Sequence, residues 1–447
     1  MSGQGTSFVE ALNAQRVKPL QWLIVATCFL VLVADGMDLQ LLGIVAPRVI
    51  ESFGTDRATF GYAMGAALIG FGLGSWAGGV LGDRIGRRWT LAIAALVFSL
   101  ATVGASSATG VWSMAVWRIV GGLGFGAAYA NALAMAGEWL PDRWRPVAIS
   151  TLSVGTPIGG TIVGWIGPDL ADSVGWEGTF VRIGLATAVL VVIILLVLRD
   201  SPSFLMALRR RDAAQAHARL VLDEEIELVP DRHETDSPDG VQIGVFHRSN
   251  MRLNLGIGLA FAAAALVAYA ILSWTTVLLT GRGFTLEQGG NAVALAGITS
   301  MVGSILVGIA MRRLGSKRVM LAISAALVAV LLALGWTVEN LPAAPGEGEY
   351  TAVYWLTGAA AAFFSAGIAG MYVMMAHGYP QSCRSSGIGF GIFMSRFGAI
   401  SGSALGGALL ELGGSSVAPF FGVLVVAAAL IAAAAFVVDR HVPPQRG

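Results

Sequence analysis

Along most of its 447 residues the chain alternates between apolar runs and short polar breaks. An α-helix needs about 20 predominantly apolar residues to cross a hydrocarbon layer. Twelve runs of that kind can be placed, over 20–46, 58–81, 89–108, 112–138, 147–170, 178–198, 253–280, 289–311, 318–338, 351–377, 386–411 and 416–438. One longer polar interval divides them six and six. The pattern predicts an all-α membrane protein with a polar N-terminus (1–19), a six-helix bundle (20–198), a linker (199–250), a second bundle (251–438) and a short C-terminal tail (439–447). The linker carries Arg209-Arg210-Arg211, Asp223-Glu224-Glu225 and a Pro/Asp-rich patch from Pro230 to Asp239. One amphipathic helix and a disordered portion are expected there.

Composition sharpens the class. Only 12% of residues are charged and 55% are hydrophobic, against about 25% charged in soluble domains. The 59 glycines suit close helix approach in lipid. A net charge of +1 gives no field for nucleic acid, and the two cysteines form neither a disulfide framework nor a metal spacing. Residues 1–19 hold no signal-peptide core, so the first run is expected to be retained. Arg84, Arg87, Arg88, Arg143, Arg145, the linker arginines, Arg312, Arg313, Lys317, Arg318, Arg384 and Arg440 fall on one side, and Arg48, Arg57, Arg182 and Arg282 on the other. The positive-inside rule then puts both termini in the cytoplasm of an inner-membrane protein.

The two halves repeat. Gly79-x3-Asp83-Arg84-x-Gly86-x-Arg88 answers Gly308-x3-Arg312-Arg313-x-Gly315-x-Lys317, and Glu138-x2-Pro141-x3-Arg145 answers His377-x2-Pro380-x3-Arg384. Two related halves with a site between them near the midplane suit alternating access. The stretch from Gly79 to Arg88 resembles the G-x3-D-R-x-G-R-R signature of the major facilitator superfamily. That resemblance implies twelve helices in two pseudo-symmetric bundles, with Gly79, Asp83, Arg84, Gly86 and Arg88, and in the second half Arg313, Gly315 and Arg384, as gating residues.

The costliest residues for a lipid helix are Asp35 and Asp38, three apart and so on one face. Each costs roughly 2.5–3.5 kcal/mol against hydrocarbon, so that face must look onto water or protein. Arg118 needs a partner for the same reason, and a guanidinium suits a carboxylate bidentately. Gly122 and Gly126 leave its helix face bare of bulk. Arg396 lies deeper in its run, between Phe393 and Phe397. Tyr269, Trp274, Phe390, Phe393 and Phe397 offer faces for an aromatic ring. Glu138, at a helix end, can gate or relay protons.

Asp35-Gly36-Met37-Asp38, followed by Gly43, looks like the D-G-x-D-x4-G pattern of the aromatic acid:proton symporter family. Trp117-Arg118, Asn131, Tyr269, Ser273-Trp274 and Arg396-Phe397-Gly398 extend the likeness along the chain. The resemblance implies functional roles for Asp35, Asp38, Arg118 and Arg396. It departs where Thr275-Thr276 replaces a proline after the segment-seven tryptophan. The function expected is proton-coupled uptake of a small aromatic carboxylate by a monomer. Asp35, Asp38 and Glu138 would couple protons, and Arg118, Arg396, Trp274, Tyr269, Asn131 and Phe393 would bind substrate. No cofactor is expected beyond the proton gradient. A carrier of non-aromatic acids, an exporter and a membrane receptor for aromatic acids are the alternatives. No nucleophile–base pair, metal cluster or phosphate loop points to an enzyme.

Overall fold

In the computed structural model, residues 6–222, 228–229, 244–379 and 383–444 are described, with backbone alone at 146, 207 and 384–386. The first half begins with a short helix α1 (Phe8–Asn13) and continues through α2 (Pro19–Phe53), α3 (Arg57–Ile85), α4 (Arg87–Ala105), α5 (Val111–Trp139), α6 (Arg145–Ser153) and α7 (Gly155–Val197). Two short linker helices follow, α8 (Pro202–Ala207) and α9 (Arg211–Ala218). The second half contains α10 (Met251–Thr280), α11 (Leu286–Leu314), α12 (Ser316–Glu339), α13 (Glu347–Gly378), α14 (Arg384–Gly413) and α15 (Ala418–Val437).

Among the described residues, eleven helices are long and apolar enough to cross a membrane. One of them, Val147–Val197, contains two crossings. Gly155 packs against Leu32 of α2 and Gly167 against Ile44, so the chain runs along α2 away from the arginine-rich end. Trp176 then meets Phe53 edge-on at the far end. Beyond it Gly184 lies against Val103 of α4, and the Leu195 carbonyl accepts from Arg88 at the near end. The reversal is made at Gly175, whose φ of 74° and ψ of 171° no helix tolerates. The sequence pattern leaves 171–177 as a loop, but one glycine suffices.

Helix α2 also runs further than its apolar pattern, through Pro47 to Phe53, where Gly54 caps it in the left-handed region. Proline has no N–H, so the carbonyl four residues earlier, that of Gly43, loses its helical donor. Thr276 of α10 supplies the substitute, its hydroxyl donating to the Gly43 carbonyl across the boundary between halves. The halves are otherwise joined by backbone-close packing of Gly61 and Gly65 on Ala404, Gly164 on Gly290, and Gly297 on Thr161. Ala58 N–H donates to Glu411 at 3.0 Å and Thr161 to the Ala294 carbonyl at 3.2 Å. These joints run from the middle of the helices toward the end opposite the arginine-rich loops.

The linker differs from expectation in having two short helices rather than one. With α1 they bury Phe8, Leu12, Leu205, Ala214 and Leu222 in the core of the first half. Thr6–Ser7 pairs in parallel with Leu228–Val229, a small strand exception to an otherwise helical chain. Asp223-Glu224-Glu225, the Pro230–Asp239 patch and Pro380 lie outside the described residues.

Gly36 sits where α2 and α7 touch. A Cβ there would run into the Thr156 main-chain carbonyl, whereas a Cβ at Gly79 meets nothing. Gly36→Ala is therefore expected to destabilise the fold by roughly 1–3 kcal/mol, as overpacking does. Gly79→Ala should leave thermal denaturation in detergent unchanged.

Candidate functional site

Asp38 and Arg118 form an ion pair at 2.5 Å, with both side chains at least 96% buried. The pair is knit into three helices. Arg118 Nη2 donates to the Asp38 carbonyl at 3.1 Å, and Thr102 of α4 donates to the second Asp38 carboxylate oxygen at 2.7 Å. Two charges in a low-dielectric interior need direct pairing of this kind, and both Asp38 carboxylate oxygens are bonded, while the buried Arg118 Nε has no partner among the described residues. The bare face expected beside Arg118 is not open. Gly122 and Gly126 bring α5 against Ala67 and Phe71 of α3. Nor does Arg118 snorkel to the surface.

Asp35 has a different environment. It is buried, and Thr156 donates to its carboxylate at 3.2 Å. Its cationic neighbours, Arg396 and Arg118, act on it only through space. Thr156 also lines a cavity of about 600 Å³, counted with its open side. Leu39 and Gln40 of α2 and Pro157 and Gly160 of α7 form the first-half wall. Tyr269 and Leu272 of α10, Gly297 and Ser300 of α11, and Phe364 and Ser365 of α13 face them. The cavity thus lies on the boundary between halves, one hydroxyl away from a buried carboxylate.

Arg396 reaches across that boundary and stacks on the Phe71 ring, 4.2 Å from its centroid. Tyr129 packs on the same ring at 5.7 Å, and Tyr269 and Tyr372 lie in the same electrostatic neighbourhood. The other candidates separate from this cluster. Trp274 is fully buried, and its indole N–H donates to the Ser403 carbonyl at 2.9 Å, so no face of it meets the cavity. Phe393 is 58% exposed and pairs edge-on with Phe397 at 5.1 Å. Asn131 uses its amide on the Gly78 and Ala127 carbonyls, both at 2.8 Å, and seals the seam between α3 and α5.

Glu138 sits at the arginine-rich end, far from the aspartates along α5. It pairs with Arg87 Nε at 2.7 Å and accepts from Ser201 at 2.5 Å. Asp83 pairs with Arg87 at 2.8 Å within its own loop, and among the described residues no ion pair takes it across to the other half. Arg88 donates its main-chain N–H to Asp200 at 3.2 Å and its guanidinium to Leu195. Burial pushes the Asp200 carboxyl above the usual carboxylate range, against the lowering effect of that N–H and of the Arg88 charge. Gly86 and Gly315, at φ 98° and 82°, make the same turn in the two copies. Asp200 closes on the first, and Val442 accepts from Ser316 N–H beside the second at 3.0 Å. Arg84 and Arg313 are exposed, and the Arg384 side chain lies outside what is described.

The family model described as Major Facilitator Superfamily matches residues 28–343 and 290–447. The chain belongs to the major facilitator superfamily. It is 30% identical to a 4-hydroxybenzoate transporter, PcaK, of Pseudomonas aeruginosa over 90% of this chain and 89% of that one. It is also 30% identical to a gallate transporter of Pseudomonas putida, over 90% and 88%. A 3-(3-hydroxy-phenyl)propionate transporter of Escherichia coli matches at 27%, over 88% of each. Among solved structures, the inward open xylose transporter XylE of Escherichia coli shares the fold with a TM-score of 0.69 at 17% identity, over 96% of this chain and 97% of that one. A bacterial homolog of the lysosomal transporter Spinster does so at 0.68 and 16%, over 94% and 97%.

As a superfamily member the chain is a multi-pass membrane transporter and not an enzyme. Several residues at its centre carry no strong sequence signal. Thr102 and Thr156 are single hydroxyls in apolar runs, and only the fold brings them to Asp38 and Asp35. Gln40 was readable, as a polar residue two positions after Asp38 in a run meant for lipid. Removing the charge of Asp38 alone leaves Arg118 buried without a counter-ion, which costs about 3–5 kcal/mol. Asp38→Asn should therefore lower the melting temperature in detergent sharply, while Asp35→Asn, whose amide oxygen still accepts from Thr156, should change it little.

Proposed function

We propose that the chain takes up a small aromatic carboxylate together with protons across the cytoplasmic membrane, as a monomer with both termini in the cytoplasm. The observation that carries this reading is the unequal treatment of two neighbouring aspartates. Asp38 is locked to Arg118, while Asp35 is held by one hydroxyl that also lines the cavity between halves. A carboxylate without a direct counter-ion, in a dry site, is a natural proton acceptor. The names of the relatives support an aromatic acid as the cargo.

The energetics ask for a proton. Bringing an anion into a cell with an inside-negative potential costs about 2.3 kcal/mol per charge per 100 mV. A proton on Asp35 cancels that term and removes a negative charge from the neighbourhood of Arg396. Arg396 then attracts the substrate carboxylate, with Phe71, Tyr129 and Tyr269 around the ring. The joints at the outer end act as the gate, closed in this form. Separation of the halves at that end and closure at the arginine-rich end complete the cycle. Glu138, Asp83, Arg87 and Arg88 serve the inner gate in this scheme, and Asp38 and Arg118 keep the first half rigid.

The test is uptake into proteoliposomes of labelled 4-hydroxybenzoate, benzoate and an aliphatic acid, with and without an inside-alkaline pH gradient. Gradient-driven accumulation of an aromatic acid is expected, with the aliphatic acid excluded. Asp35→Asn should lose accumulation but keep substrate exchange at equal pH. Full accumulation by Asp35→Asn would sink the coupling role given to it. Tight vesicles that take up no aromatic acid would sink the cargo.

A further inference from the structure

The cavity contains a polar side chain that none of the ion pairs uses. Gln40 is 8% exposed, and among the described residues its carboxamide has no hydrogen-bond partner. Its stem is held against Gly160, where a Cβ would lie 3.1 Å from Gln40 Cγ. Thr156, Ser300 and Ser365, the other small polar groups of the wall, are already bonded, to Asp35, to the Ala361 carbonyl and to Ser304. The Tyr269 hydroxyl, on the opposite wall, is without a partner among the described residues. The amide faces the cavity, where water or a bound ligand can satisfy it.

Resting on the reading of the chain as a carrier of aromatic carboxylates, we propose that Gln40 determines specificity by bonding a hydroxyl on the substrate ring. Gln40 follows Asp35 by five residues, about 7.5 Å along the helix axis. The two side chains leave opposite faces of α2, but Thr156, which bonds Asp35, lines the same cavity as Gln40, so a benzoate whose carboxylate lies at the Thr156 end can present a ring hydroxyl to Gln40. A carboxamide both accepts and donates, which matches a phenolic hydroxyl and not a bare C–H edge. Unsubstituted benzoate would displace water from Gln40 and return nothing. A site built to bond a hydroxyl discriminates against the analogue that lacks it for this reason. Tyr269 can bond the same substituent from the second half, so a hydroxylated ring ties the two walls together.

The experiment compares benzoate, 3-hydroxybenzoate and 4-hydroxybenzoate as substrates of the full chain in proteoliposomes. One hydroxybenzoate should be favoured over benzoate by about tenfold or more in KM, the size of one neutral hydrogen bond. Gln40→Met, of similar length but without the amide, should bring the two KM values together. Equilibrium binding in detergent, with Gln40→Met and Gln40→Asn, reads the same ratio even where a variant no longer transports. A wild type indifferent to the hydroxyl, or a preference that Gln40→Met retains in both assays, overturns the proposal and leaves the aromatic carrier standing. A wild type that takes up none of the three overturns both.

Discussion

A guanidinium in the middle of a lipid-embedded bundle has to be neutralised by the bundle itself. Arg118 meets that constraint through Asp38, and Asp38 through Thr102, so α2, α4 and α5 are tied at one point. Removing either charge leaves the other buried without a counter-ion, which makes the three helices a single mechanical unit. That rigidity defines the first half as something that can rock as a body. It also explains how Asp35 can be left without such a clamp. One turn of the same helix separates a carboxylate paired with Arg118 from one held by a single hydroxyl.

The cavity acquires its character from that division. Its first-half wall carries Thr156 and Gln40, both fixed by the close approach of α2 and α7 around Gly36 and Gly160. Its second-half wall carries Tyr269, Ser300 and the ring of Phe364. Arg396 belongs to α14 but rests on Phe71 of α3. A molecule bound here touches both bodies, so its binding free energy bears directly on how they sit relative to each other.

Much of this architecture is legible in the residue pattern. Run lengths and the repeat of Asp83-Arg84-x-Gly86 at Arg312-Arg313-x-Gly315 give two related halves, and intramembrane charge singles out Asp35, Asp38, Arg118 and Arg396. What the pattern does not reveal is direction. Trp274 and Asn131 look like ligand groups in one dimension, yet packing turns one toward the Ser403 carbonyl and the other into the α3–α5 seam. Gly122 and Gly126 read as space beside Arg118, and the fold fills that space with α3. Thr102 and Thr156 gain their meaning only from neighbours many residues away. A linear pattern states what a residue costs in lipid, while the fold decides which neighbour offsets that cost.

Pro47 shows how a local defect becomes a joint between bodies. By withholding a donor it leaves the Gly43 carbonyl free, and Thr276 of the other half takes it. The acceptor belongs to the main chain of Gly43, which packs closely on the Leu272 and Ser273 main chain. The donor is a side chain, that of Thr276, buried and packed on Gly289 of α11. Adhesion at the end opposite the arginine-rich loops therefore depends on one side chain of the second half, that of Thr276. A single position thus bears on how tightly the two halves hold together at that end, apart from the residues that line the cavity between them.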